Sequence, residues 1–294
     1  MNHKAIYSLS FHITGHSFER ERERESSMAL FLDFIFPAPA SLFLAAMTVI
    51  GVTTSALGGI SEATGKNIQY SKFLNAGAGD ISKETKISSR AGMLLVYSPS
   101  LAAAALASFA VPGFAVAGRC LLVRIVLSLH FFKRVFEVLF IHQYSGQMMI
   151  LKPVITISMA YCINTVTLLY AQYLTQDTPE PSFDLRNAGI PLFLIGITGN
   201  FYHHYLLSKL RKKDEKGYKI PTEGLFSLVI CPHYLFEIIG FLGLALTSQT
   251  LYSFSWFLGT LFYLMGRSYA TRKWYLSKFE NFSGDVKALI PFVF

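Results

Sequence analysis

Long apolar runs alternate with short polar stretches from residue 29 to the C-terminus. The runs cover about 29–51, 91–117, 120–141, 150–174, 188–208, 224–247 and 251–270. A helix that crosses a bilayer needs roughly 20 apolar residues. The runs are too long and continuous for barrel strands, so helix is the spanning form they predict. Polar residues interrupt the third and fifth runs. The pattern predicts an all-α polytopic membrane protein with about seven transmembrane helices.

Composition supports this. Only 15% of the 294 residues are charged, and the chain holds 26 Phe and 15 Tyr. Typical soluble domains are about 25% charged. The net charge is +8, and its placement is sided. Residues 52–90 carry Lys66, Lys72, Lys83, Lys86 and Arg90, and residues 209–219 carry six further Lys or Arg. The tail adds Arg272, Lys273, Lys278 and Lys287, whereas the 175–187 loop is acidic, with Asp177, Glu180 and Asp184. With seven spans, the basic loops share one side. The positive-inside rule makes that side, and the C-terminus, cytoplasmic. Such a basic excess reports orientation and anionic-lipid contact rather than nucleic acid. Asn281-Phe282-Ser283 then faces the cytoplasm and stays unglycosylated.

Residues 1–27 differ from the rest. Glu19 to Glu25 alternates Glu and Arg, which places like charges at i,i+4. No apolar core of a signal peptide precedes Met28. Residues 1–27 are expected to be a disordered or translated leader, with Met28 as the working start. An intact mass beginning at Met1 in native protein would contradict this.

Four polar clusters interrupt the apolar pattern. His130, Lys133, Arg134 and Glu137 share one helix face at i, i+3, i+4 and i+7, and His142 follows. Asn200, His204, Ser208 and Arg211 line a face of the fifth span. His233 and Glu237 lie one turn apart in the sixth, and Arg267, Thr271, Trp274 and Lys278 line the last. Ionisable groups are costly in lipid, so these faces are expected to meet each other in a polar cavity. Single cations such as Lys133, Arg211 and Lys219 also suit snorkelling to headgroups.

Metal chemistry is not expected. The cysteines Cys120, Cys162 and Cys231 form no CxxC pair. Membrane di-iron sites take about eight histidines, and residues 28–294 hold five. Gly77-Ala78-Gly79 lacks the third glycine and the βαβ setting of a dinucleotide fingerprint. No internal repeat suggests a transporter.

The C-terminal block carries a resemblance. Its elements are Asn200 with Arg211, Tyr218-Lys219-Ile220-Pro221, Gly224-Leu225-Phe226 and Cys231-Pro232-His233-Tyr234 with Glu237. Arg267, Lys273-Trp274-Tyr275 and the terminal Lys287-Ala288-Leu289-Ile290-Pro291-Phe292 complete it. Together they resemble the steroid 5-alpha-reductase family, which also includes trans-2-enoyl-CoA and polyprenol reductases. The resemblance implies a seven-helix enzyme of the endoplasmic reticulum membrane, over residues 28–294, with a cofactor half at about 190–294. It implies NADPH-dependent reduction of a carbon–carbon double bond conjugated to a carbonyl in a membrane lipid, such as a 3-oxo-Δ4-steroid. Positions matching cofactor contacts are Asn200, His204, Arg211, Tyr218, Lys219, His233, Glu237, Arg272 and Tyr275, joined by Arg134 of the third-span motif. Phosphates suit Arg forks, and ribose or carboxamide groups suit acceptors such as Glu237.

The chain also departs from the pattern. Several relatives have Asp where His204 stands, Asn at His233 and His at Arg272. Steroid reductases carry Glu at the position of Tyr97 and Tyr at that of Phe131. Tyr97 therefore becomes the candidate carbonyl donor and general acid. His130, Lys133-Arg134 and Glu137 are similar to the enoyl-CoA reductase pattern, so that activity is one alternative. A degenerate lipid-binding scaffold is another, favoured by loss of the Glu/Tyr pair.

Overall fold

The computed structural model describes residues 33–66, 68, 84–110, 118–144, 148–210 and 217–294. Among them, seven α-helices follow in chain order: α1 (Leu42–Ala63), α2 (Ser89–Ala110), α3 (Gly118–Phe136), α4 (Leu151–Tyr173), α5 (Arg186–Lys209), α6 (Pro232–Ser248) and α7 (Leu251–Lys278). A π-helical turn, Glu137–Ile141, extends α3, and a 3-10 turn, Gly224–Ser227, precedes α6. Strands β1 (Lys86–Ser88) and β2 (Met148–Ile150) pair antiparallel with Ile87 opposite Met149, joining the starts of α2 and α4. Helices α1 and α4, and α2 as far as Ala107, are long and apolar enough to cross a membrane. The other four carry most of the polar clusters. The leader falls outside the described residues.

Among the described residues, the first helix lies later than the sequence expectation of 29–51. It starts at Leu42, because Pro37 and Pro39 hold the preceding chain extended and cannot donate helical hydrogen bonds. Ser41 caps it, its hydroxyl accepting from Leu44 N at 3.3 Å. The helix then runs on through Thr, Ser and Gly to Ala63, because those small residues seat it on α7. A Cβ on Gly266 would stand 1.9 Å from the Gly59 carbonyl oxygen. Helix α6 also starts later than expected, at Pro232, after the 3-10 turn.

Small residues set the α5–α6 contact too. A Cβ on Gly196 would lie 2.3 Å from the Gly240 nitrogen, and one on Gly243 would lie 2.3 Å from the Phe193 nitrogen. Close backbone approach through small residues is a recurrent way to join helices in membranes. Gly196→Ala is expected to lower stability by about 1–3 kcal/mol through overpacking. The check is thermal unfolding of the purified protein in detergent, with Thr198→Ala on the exposed face as the control.

Pro99 interrupts the hydrogen bonding of α2. Having no N–H, it leaves the Leu95 carbonyl without its helical donor. Ser158 of α4 supplies one, at 2.7 Å. This ties α2 to α4 beside Tyr97.

One end of the bundle is organised by Arg119 and Gln249, both buried. Arg119 donates to the Thr247 carbonyl at 2.7 Å, to Gln249 Oε1 at 2.9 Å and from Nε to Glu180 at 2.9 Å. Gln249 in turn donates to the carbonyls of Phe34 (2.6 Å) and Phe183 (2.9 Å). The acidic 175–187 loop is thus pinned beside the start of α3 and the α6–α7 turn. Arg186 bonds Asp184 through its side chain and holds that carboxyl well below the usual carboxylate range.

Candidate active site

At the other end, the last turns of α3 and α5 meet the first turns of α6. Four charges collect there: Lys133 and Arg134 from α3, Glu137 from the π-turn and Glu237 from α6. Glu137 is fully buried and central. Its carboxylate lies 3.2 Å from Lys133 Nζ, 3.0 Å from Arg134 Nη1 and 3.0 Å from His204 Nδ1. Lys133 also bonds the Asn200 side-chain oxygen. Asn200 uses its amide nitrogen twice, donating to Glu237 Oε2 and to the His233 carbonyl, each at 2.7 Å. His130 approaches Glu237 at 3.8 Å. Two cations thus face two carboxylates, which is how buried charge becomes tolerable.

The π-turn explains why His142 joins this group. Five residues along an α-helix turn the chain by about 500°, which leaves the two side chains about 140° apart. The wider turn, with His142 N bonded to the Glu137 carbonyl at 2.8 Å, brings both to one face. The His142 ring then lies 5.1 Å from that of His204, which lies 5.3 Å from that of His233. Tyr144 follows, and burial pushes its phenol well above its ordinary value.

Tyr97 reaches the cluster from α2. It is buried, and its hydroxyl receives a hydrogen bond from Arg134 Nη2. The guanidinium also lies over the Tyr97 ring, 4.6 Å from its centroid. Tyr161 of α4 packs against both Tyr97 and Phe131, with ring centroids 5.8 Å away in each case. A cleft on the α5–α6 side of the cluster is lined by His130, Lys133, Asn200, Glu237 and the glycines Gly196 and Gly240. Its volume of about 10 Å³ is room for roughly one water molecule.

His203, beside His204, has a different task. Its Nδ1 lies 2.7 Å from the Gly199 carbonyl, and its Nε2 accepts from Leu225 N at 3.3 Å. The ring stacks on Phe236 at 5.2 Å. It therefore fastens the 3-10 turn to α5 and sets the entry into α6.

The structure brings together Tyr97, Arg134, Asn200, His204, His233 and Glu237. Tyr218, Lys219, Arg272 and Tyr275 form a second group around the C-terminal segment. The Tyr218 ring packs on Trp274 at 4.9 Å, and Tyr275 donates to the Lys219 carbonyl at 3.4 Å. Arg272 donates to the carbonyls of Val286 (2.7 Å) and Gly284 (2.6 Å). That segment runs beside residues 228–231, with Ile230 N bonded to the Lys287 carbonyl at 2.9 Å. Arg211 lies outside the described residues.

Lys133, Glu137 and His142 also belong to the first group, although none is among the expected cofactor contacts or catalytic residues. The i,i+3 and i,i+4 spacing from Lys133 and Arg134 to Glu137 was the available signal. Donor atoms of Glu137, His142 and His204 lie within 4.8 Å of one another. Such a triad could coordinate a cation. Lys133 and Arg134 already neutralise its one carboxylate, and their charges oppose a divalent ion there.

Apolar helices around a buried, charge-matched cluster define a helical membrane protein with a polar site at one end. Residues 147–294 match the family model described as 3-oxo-5-alpha-steroid 4-dehydrogenase. The chain is 43% identical over 108 residues to steroid 5-alpha-reductase DET2 of Gossypium hirsutum, covering 36% of this chain and 42% of that protein. It is 40% identical over 124 residues to 3-oxo-5-alpha-steroid 4-dehydrogenase 1 of Mus musculus, covering 42% and 48%. It is 31% identical over 220 residues to 3-oxo-5-alpha-steroid 4-dehydrogenase 2 of Homo sapiens, covering 71% and 83%. The chain belongs to the 3-oxo-5-alpha-steroid 4-dehydrogenase family, the steroid 5-alpha-reductases. It matches less than half the length of the first two relatives.

Proposed function

We propose that this chain is an NADPH-dependent oxidoreductase. Its reaction is reduction of a carbon–carbon double bond conjugated to a carbonyl in a membrane lipid, a 3-oxo-Δ4-steroid or related enone. The observation that carries this reading is the buried Tyr97 hydroxyl held by Arg134 at the meeting point of α2 and α3. An enone needs a donor where negative charge builds on its carbonyl oxygen, and a positioned phenol can serve.

The residues present suit NADPH. Arg134 Nε is buried and has no hydrogen-bond partner among the described residues, so one N–H is left for an acceptor. Asn200, His204 and His233 add polar groups beside it, and Glu237 is an acceptor for ribose or carboxamide groups. Arg211, Tyr218, Lys219, Arg272 and Tyr275 complete the proposed cofactor contacts. When bound, NADPH would supply the hydride. The chain's own residues would orient the enone, exclude water and deliver the proton.

We place the protein in the endoplasmic reticulum membrane with seven crossings and its basic loops and C-terminus cytoplasmic. Protein partners beyond the bilayer and the lipid substrate are not part of the proposal. The Glu137 contacts with Lys133 and Arg134 favour one second reading, a trans-2-enoyl-CoA reductase.

Purified protein in detergent is expected to bind NADPH at tens of micromolar or tighter, measured by fluorescence titration. No binding in that range favours a degenerate lipid-binding scaffold instead. Parallel assays with a Δ4-3-ketosteroid and an enoyl-CoA then separate the two reductase readings.

A further inference from the structure

We propose that Glu137 is the positioning residue that fixes Tyr97 as proton donor, acting through Arg134. This rests on the reductase reading above. Arg134 is a planar fork with two occupied ends: Nη1 donates to Glu137 Oε2 at 3.0 Å, and Nη2 donates to the Tyr97 hydroxyl. Two anchored ends and a ring beneath the plane leave one orientation for the guanidinium.

The chemistry of the fork gives the contact its direction. A guanidinium has no acceptor and stays charged, so the Tyr97 oxygen must accept from it. The phenol O–H is therefore not spent on Arg134. In the step, the Tyr97 O–H bond breaks and a new O–H bond forms on the substrate carbonyl oxygen. That oxygen carries the electron pair displaced from the double bond as the β-carbon is reduced. The phenolate is left beside Arg134, which stabilises its charge, and takes a proton back from water. The enol O–H proton then passes to the hydroxide which that water became, the α-carbon takes a proton from a second water, and the ketone re-forms with a net uptake of one proton from solvent.

Glu137 is placed for this by an irregularity. A π-turn is rare and is found frequently at functional sites. Here it begins at Glu137, and the carboxylate it aims inward is fully buried. A helix stabiliser at this position needs no buried charge. A buried carboxylate that meets Arg134, Lys133 and His204 sets where those groups stand.

The test is a double-mutant cycle on the full chain in detergent, with NADPH and the enone the wild type reduces. Glu137→Gln should lower kcat about 10- to 100-fold, the range for loss of a hydrogen bond to a charged group. KM for the enone should change less than about 3-fold. In a Tyr97→Phe background, Glu137→Gln should add less than about 3-fold, because both changes remove the same donor. Additive losses, or an unchanged kcat in Glu137→Gln alone, overturn the proposal. If Glu137→Gln melts before assay temperature, Arg134→Lys runs the same cycle, since Lys keeps the charge and loses the fork. A wild type that reduces neither enone class overturns the reductase reading, and this inference with it.

Discussion

Tyr97→Phe is expected to cut enone reduction by about 100-fold or more, with NADPH affinity changed little. That factor corresponds to about 2.7 kcal/mol of transition-state stabilisation. The substitution removes one oxygen and keeps the ring. The aromatic contacts with Tyr161 and the cation–π contact with Arg134 are therefore retained. What is lost is the hydroxyl held by Arg134, the proposed donor to the substrate oxygen. A packing role for Tyr97 would lower stability and leave the rate per folded molecule unchanged. The measurement is kcat per active site, with sites counted by NADPH titration. Full turnover by Tyr97→Phe would end the assignment.

The second large effect concerns stability. Glu62→Gln is expected to cost about 3–5 kcal/mol, because it leaves Arg267 charged and buried without its carboxylate. Glu62 at the end of α1 and Arg267 in α7 meet at 2.6 Å, and both side chains are at most 2% exposed. Glu62 also accepts from Ile68 N at 3.0 Å, so it secures the exit from α1 as well. The pair sits one turn from the Gly59–Gly266 contact, where the two backbones touch and cannot part without losing packing. The double change Glu62→Leu with Arg267→Met should recover much of the loss, since it removes both charges together. Thermal unfolding in detergent checks both. Equal stability of Glu62→Gln and wild type would mean that solvent reaches the pair.

The shared face of His130, Lys133, Arg134 and Glu137 was legible, because helical spacing fixes which residues lie together. The partners of that face were not. Asn200 and Glu237 lie 37 residues apart in sequence yet are bonded at 2.7 Å, and nothing in their spacing specifies that bond. His142 was hidden by the π-turn, since α-helical periodicity points it away from Glu137. Tyr97 was legible as a hydroxyl but not as the partner of Arg134. Glu62 lies outside every expected apolar run, in the polar 52–90 stretch, yet it is the buried counterion of Arg267 in α7. The displaced start of α1 has a local cause in Pro37 and Pro39, whose effect a count of apolar residues ignores.

Read alone, the sequence determined that the protein is helical, that apolar helices of spanning length are present, and which family its C-terminal block resembles. Those features follow from hydropathy, periodicity and local motifs, which act over neighbouring residues. The tertiary structure decided which charges neutralise which. It set Arg134 between Glu137 and Tyr97, and it separated the Tyr218–Arg272–Tyr275 group from the buried cluster. Such pairings depend on how close two backbones come. That distance is set by small residues such as Gly196, Gly243 and Gly266 at the helix contacts.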